Sequence, residues 1–150
     1  MLEAVEGYRA AFVPSDELTK PYVSVSADVV VAETDDKARA LATGYGLWVR
    51  SIRRGDGAIP YPTEKEAAAH EWTDEDRELV ADRVDTQFVG SPDTVTAGLR
   101  ILQEATGADE LVITTITHSH TDRVRSYELL ARAWGGTWPA HGPEDFSCRA

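Results

Sequence analysis

The stretch from Phe88 to Trp134, FVGSPDTVTAGLRILQEATGADELVITTITHSHTDRVRSYELLARAW, decides the fold. It runs as short strand, capped helix, strand and helix with almost no spare residues between them, the βα alternation of a parallel sheet. Ser91 offers an N-cap hydroxyl and Pro92 suits the first helical position. Val95, Gly98, Leu99 and Leu102 then fall at i, i+3, i+4 and i+7, and Gly107 is placed to end the helix. The segment 110–116 reads as a strand. Its apolar, β-branched run shows little alternation in the first half, as expected of a parallel strand covered on both faces. Val124, Tyr127, Ala131 and Trp134, with Leu130 beside them, give the second helix its apolar stripe.

Working outward, residues 2–13 have helical character, which Pro14, Ser15 and Asp16 interrupt before a turn ending at Pro21. The segment 22–32, YVSVSADVVVA, is the strongest strand of the chain. It alternates at Val23 and Val25, becomes continuously apolar at Val29, Val30 and Val31, and is expected to be central in any sheet. Thr34 suits an N-cap, and one helix is expected to follow with Ala38, Leu41, Ala42, Tyr45, Trp48, Val49 and Ile52 on one stripe. The segment GDGAIPYP at 55–62 ends that helix and begins a polar connection, after which an acidic helix is expected over 73–85, capped by Thr73. Beyond Gly135 the helix breakers Gly136, Pro139, Gly142 and Pro143 predict a poorly ordered tail over 136–150. The expected organisation is one domain over 1–135 followed by that tail.

The phrases VGSPDTVTAGLRILQEATGADELVIT and HTDRVRSYELLARAW, together with PYVSVSADVVVAETDDKARALA further back, resemble the C-terminal part of the luciferase-like flavin-dependent monooxygenases. The resemblance covers roughly residues 1–135 and implies an α/β fold that is a partial (β/α)8 TIM barrel: about the last three βα units plus the insertion before the seventh strand. A complete barrel takes about 250 residues, with about 200 near the minimum, and this chain has 150. The resemblance implies FMN or the deazaflavin F420 as cofactor. It also implies that the earlier units, which carry most of the flavin-positioning residues, have no counterpart here, so that the chain alone is not expected to be catalytic and no catalytic residue is assigned.

Composition bounds the classes of function. The apolar fraction is 42% and the charged fraction 27%, ordinary for a globular protein. A net charge of −11, with basic residues clustering only at Arg50, Arg53 and Arg54, argues against a nucleic-acid partner. The single cysteine, Cys148, cannot form an internal disulfide, which fits a reducing cytoplasm, and it is read as inert. No apolar run approaches about 18 residues and the start lacks a basic region followed by an apolar one, so neither membrane insertion nor export is expected.

Candidate chemistry is sought at the C-terminal ends of the strands. Thr114, Thr115, His118 and His120 follow the last strand, and the run HSHTD could supply two imidazoles and Asp122 as an acid/base pair or as metal ligands. No other histidine has useful metal spacing, so no metal is expected. Helix capping or surface positions are the ordinary reading, and contact with flavin or a small-molecule substrate is the functional one. Gly90, Ser91 and Pro92 form a glycine turn into a helix N-terminus, either a natural anion site or simply a well-capped helix. The aromatic and arginine segment 45–54 is read as core plus solvated face, with a place near the active-site mouth as the functional alternative. No G-x-S-x-G elbow marks a nucleophile.

Three parallel strands taken from a barrel would have two free edges and a wet interior face. Val23, Val25, Val29, Val31, Val112 and Ile113 would then expose surface worth roughly 25 cal/mol per Å². The expected remedy is self-association into a homo-oligomer or a complementary N-terminal chain. The alternative is repacking as a compact three-stranded α/β sandwich, with the first helix or the insertion folded over the open face.

Overall fold

Strand β1 (Ser24–Val31) lies at the centre of a parallel three-stranded sheet of order β2-β1-β3, with β2 (Phe88–Gly90) on one side and β3 (Glu110–Thr114) on the other. The computed structural model describes residues 2–135, and the tail expected over 136–150 and Cys148 lie outside the described residues. Pairing divides β1 into halves. Ser24 to Asp28 align with Glu110 to Thr114, and Val29 to Val31 align with Phe88 to Gly90. β3 is shorter than the 110–116 expected, because Thr115 turns its N–H to the Tyr127 hydroxyl at 2.9 Å and leaves the ladder.

β1 is the central strand, as expected of the strongest strand in the chain. β2 offers only three residues, whereas the N-terminal half of β1 offers five, enough to pair all of β3. The class, α/β with a small parallel sheet, is as expected.

The helices are α1 (Leu2–Ala11), α2 (Asp35–Ala42), α3 (Gly44–Arg53), α4 (Glu64–Ala69), α5 (Asp74–Val84), α6 (Pro92–Thr106) and α7 (His120–Trp134). The odd-numbered side chains of β1 point to α6 and α7: Ala27, Val29 and Val31 form the main core with Val95, Leu99 and Leu130. Val23 and Val25 continue it with Ala108, and Val5 of α1 packs on them. Period-two alternation sends these valines to the helices, which corrects the expectation that they would lie wet. Of the six residues named for that role, Val112 is the one clearly open, at 45% exposure, on the other face.

That other face is covered over its C-terminal half. Val30 is fully buried, and Val89, its partner in register, shares a cavity with Arg39 and Ala42 of α2, Tyr45 of α3 and Val84 of α5. The expected single helix over the 38–52 stripe is two helices. Gly44 is buried at their junction, where a Cβ would lie 2.7 Å from the Pro62 carbonyl and 2.8 Å from the Tyr61 ring. The stripe therefore turns, leaving Ile52 exposed while Tyr45 and Val49 form a small core with Val80. The connection read as polar contains α4, which the Thr63/Glu66 capping box starts.

Candidate functional site

The glycine turn and helix N-terminus at Gly90–Ser91 are in place, but the anion they hold belongs to the chain. The Ser91 N–H donates to Asp35 Oδ1 at 2.6 Å, and the Ser91 hydroxyl accepts from the Thr94 N–H as the N-cap of α6. These donors, the Ser91 N–H foremost and then the Thr94 and Ser91 hydroxyls, hold the Asp35 carboxyl below its usual range. Gly90 is buried and obligatory on steric grounds, since a Cβ there would lie 2.8 Å from both Asp35 Oδ1 and Thr94 Cγ2. The capped-helix reading of Gly90, Ser91 and Pro92 accounts for all of this.

The two histidines of the HSHTD run are separated. His118 donates through Nδ1 to the Tyr61 carbonyl at 2.8 Å, and its Nε2 has no partner among the described residues. It faces a small cavity of about 280 Å³ that Asp122, Thr63 and Lys65 also line. His120 accepts from Arg123 through Nδ1 at 2.8 Å and borders a different, apolar groove formed by Leu111, Ile113, Val124 and Trp134. The two imidazoles thus border different cavities and make separate hydrogen bonds. Among the described residues no three His, Cys, Asp or Glu side chains are placed to hold a metal ion. Thr114 is exposed at the end of β3, and Thr115 is buried with its Oγ1 lacking a hydrogen-bond partner.

The segment 45–54 is core at Tyr45 and Val49 and solvent-facing at Ile52, Arg53 and Arg54, and its polar groups are engaged within the chain. Tyr45 is buried and its hydroxyl donates to Asp28 Oδ2 at 2.6 Å, where Arg83 also donates at 2.6 Å. Burial, and then the Asp28 hydrogen bond, push the Tyr45 hydroxyl above its usual pKa, so it remains a donor. Arg50 and Arg54 both reach Asp76 Oδ1, at 2.6 and 2.8 Å, and Arg53 forks onto Asp82 at 2.6 and 2.8 Å. The arginines thus clasp α3 to α5. Asp76 is 2% exposed, and the Arg50 hydrogen bond above all lowers its carboxyl to about 2.

Sequence reasoning missed Asp28, Arg83 and Asp76. Asp28 was a detectable signal, a carboxylate inside the apolar run SADVVV of a central strand, where a partly buried charge needs a partner. Its partners come from 17 and 55 residues away, and no spacing rule reaches that far.

Fold and site together define a parallel α/β unit whose polar groups gather at the C-terminal ends of its strands. No protein-family model matches the chain. It is 33% identical over 132 residues to the uncharacterized protein YvbT of Bacillus subtilis, a match that takes in 87% of this chain and 39% of YvbT. It is 28% identical over 130 residues to a luciferase-like monooxygenase of Escherichia coli K12, covering 86% of this chain and 38% of that protein. Among solved structures it resembles apo-MsnO8, with a TM-score of 0.77 at 35% identity, over 90% of this chain and 41% of that one. The chain is a relative of the luciferase-like monooxygenases and resembles their C-terminal part. It spans about two fifths of the length of the relatives it matches. Among the described residues no helix is long and apolar enough to cross a membrane.

Proposed function

We propose that this chain is the C-terminal share of a luciferase-like flavin-dependent oxidoreductase or monooxygenase, a partial barrel that works only when a partner supplies the remainder. The observation that carries the proposal is the length of the match: nearly all of this chain aligns with under half of each relative. The partner is a second copy or a complementary N-terminal chain, the setting is the cytoplasm, and residues 1–135 act as the domain. The cofactor is FMN or F420, acting on a small-molecule substrate at the strand ends. His118 and the Thr115 hydroxyl are the groups there with unused capacity, Nε2 of the one and Oγ1 of the other. Gly90 and Ser91 serve that site by shaping the β2–α6 turn, because Asp35 already occupies the Ser91 N–H. His120 lies on the apolar groove and has the weakest claim to flavin.

A second reading is favoured by the helices over the open face. The α2–α5 segment covers the C-terminal half of that face by itself, as a non-catalytic interaction or regulatory module would require. Titration of the purified chain with FMN, reduced FMN and F420, with its mass followed by light scattering, separates the two. Saturable micromolar binding by an oligomer is the result expected of the rebuilt site. A chain that leaves millimolar flavin unbound overturns the first reading and leaves the module.

A further inference from the structure

We propose a ligand site lined by none of the strand-end candidates, though Tyr45 of the 45–54 segment borders it: the cavity between α2, α3, α5 and β2, shaped for a planar aromatic molecule carrying an anionic group. Its volume is about 690 Å³, within the roughly 300–1,000 Å³ typical of small-molecule sites. The walls are aromatic and aliphatic: Trp72 and Tyr45 with Val80, Val84 and Val89.

Trp72 is held as a platform. Its ring packs against the α3 backbone at Gly46, where a Cβ would come within 3.1 Å of it. His70 meets it edge-on, with ring centroids 5.0 Å apart and an interplanar angle of 89°. A ring fixed in this way loses little freedom when another stacks on it, so its contact area converts efficiently into affinity.

Charge sets the class of ligand. Arg39 of α2 and Arg77 of α5 both border the cavity, against one carboxylate, Asp85. Each arginine pairs only within its own helix, Arg39 with Asp36 and Arg77 with Asp74, and those two carboxylates are almost fully exposed. Such i,i+3 surface pairs are worth a few tenths of a kcal/mol, so both guanidiniums are available to a carboxylate, sulfonate or phosphate, which they match bidentately. This is a different case from Arg50, Arg53 and Arg54, whose carboxylate partners lie across on α5. The proposal does not depend on the flavin reading.

The test uses two probes, 8-anilinonaphthalene-1-sulfonate and its uncharged relative N-phenyl-1-naphthylamine, on the full chain by amide and indole NMR. Saturable shifts at the Trp72 indole, Gly46 and Gln87 are expected with the sulfonate. The exposed double reversal Arg39→Glu/Arg77→Glu should weaken the sulfonate about tenfold or more, a change of about 1.4 kcal/mol, and leave the neutral probe unchanged. Shifts confined to Val124, Tyr127 and Trp134 would place binding in the apolar groove and overturn the proposal. An unchanged sulfonate affinity in the double variant would overturn it as well.

Discussion

Gly90 and Asp35 show how one residue without a side chain and one with a carboxylate can settle a helix start between them. Replacing Gly90 by Ala would drive a Cβ against Asp35 Oδ1 and the Thr94 side chain, both at 2.8 Å. Both neighbours are fixed by hydrogen bonds to the turn itself, so neither can yield cheaply. Gly90→Ala is expected to destabilise by about 1–3 kcal/mol, the usual range for overpacking, read from urea unfolding midpoints. In the middle of β1, Tyr45→Phe removes the neutral partner of Asp28 while Arg83 remains. The loss should fall near about 1.5 kcal/mol, the lower end for hydrogen bonds to charged groups. A Tyr45→Phe variant as stable as the parent would mean that Arg83 alone satisfies the carboxylate.

Between elements, charge rather than apolar area joins the insertion together. The α3–α5 core is small, formed by Tyr45, Val49 and Val80 with partly buried Trp48, Trp72 and Leu79 around it, and Asp76 lies buried among Arg50, Arg54 and His70. A carboxyl held at about 2, below its ordinary 3.8, adds stability that is complete above the unfolded value and is lost as pH falls towards the folded one. Glu33, lowered to about 2 chiefly by Arg125 and then by its own backbone N–H and Lys37, acts in the same direction and window. Asp76→Asn should therefore melt below the parent at neutral pH, and the gap should narrow as pH falls from about 4 to about 2. A gap independent of pH in thermal melts would show that the clasp acts through shape alone. These elements also show what the sequence made legible. α6 is read closely because cap, stripe and terminal glycine agree, and α7 from its apolar stripe alone. The capping box of Thr63 and Glu66 was equally visible but followed directly on a stretch dominated by glycine and proline. The break at Thr43–Gly44 was hidden because Ala42 and Tyr45 keep the same stripe on both sides of it.

At the scale of the molecule, sequence pattern specified three parallel strands and a central β1 but not which half of β1 each neighbour takes, because register depends on comparing edges that no local pattern encodes. β2 is too short to carry β3, and β1 has two edges to give. The candidate site was legible only in part for the same reason: Ser91 caps locally, whereas the Asp28 cluster forms only when residues 17 and 55 positions away arrive. The order leaves the outer edge of β3 unpaired among the described residues. Beside that edge lies an apolar groove of about 690 Å³ lined by Leu111, Ile113, Val124, Tyr127 and Trp134, with Val112 exposed on the opposite face. An open edge next to apolar surface is the arrangement that sheet proteins ordinarily block or pair. Two copies meeting edge to edge through β3 would complete each other's hydrogen bonding and shield both grooves. Light scattering is therefore expected to give twice the chain mass. Val112→Lys, a charge placed on that edge without touching the core, should return it to one and raise the binding of an apolar dye. A parent chain that is already monomeric and binds no such dye would show that the α2–α5 cover and α1 suffice, and the case for assembly through β3 would end there.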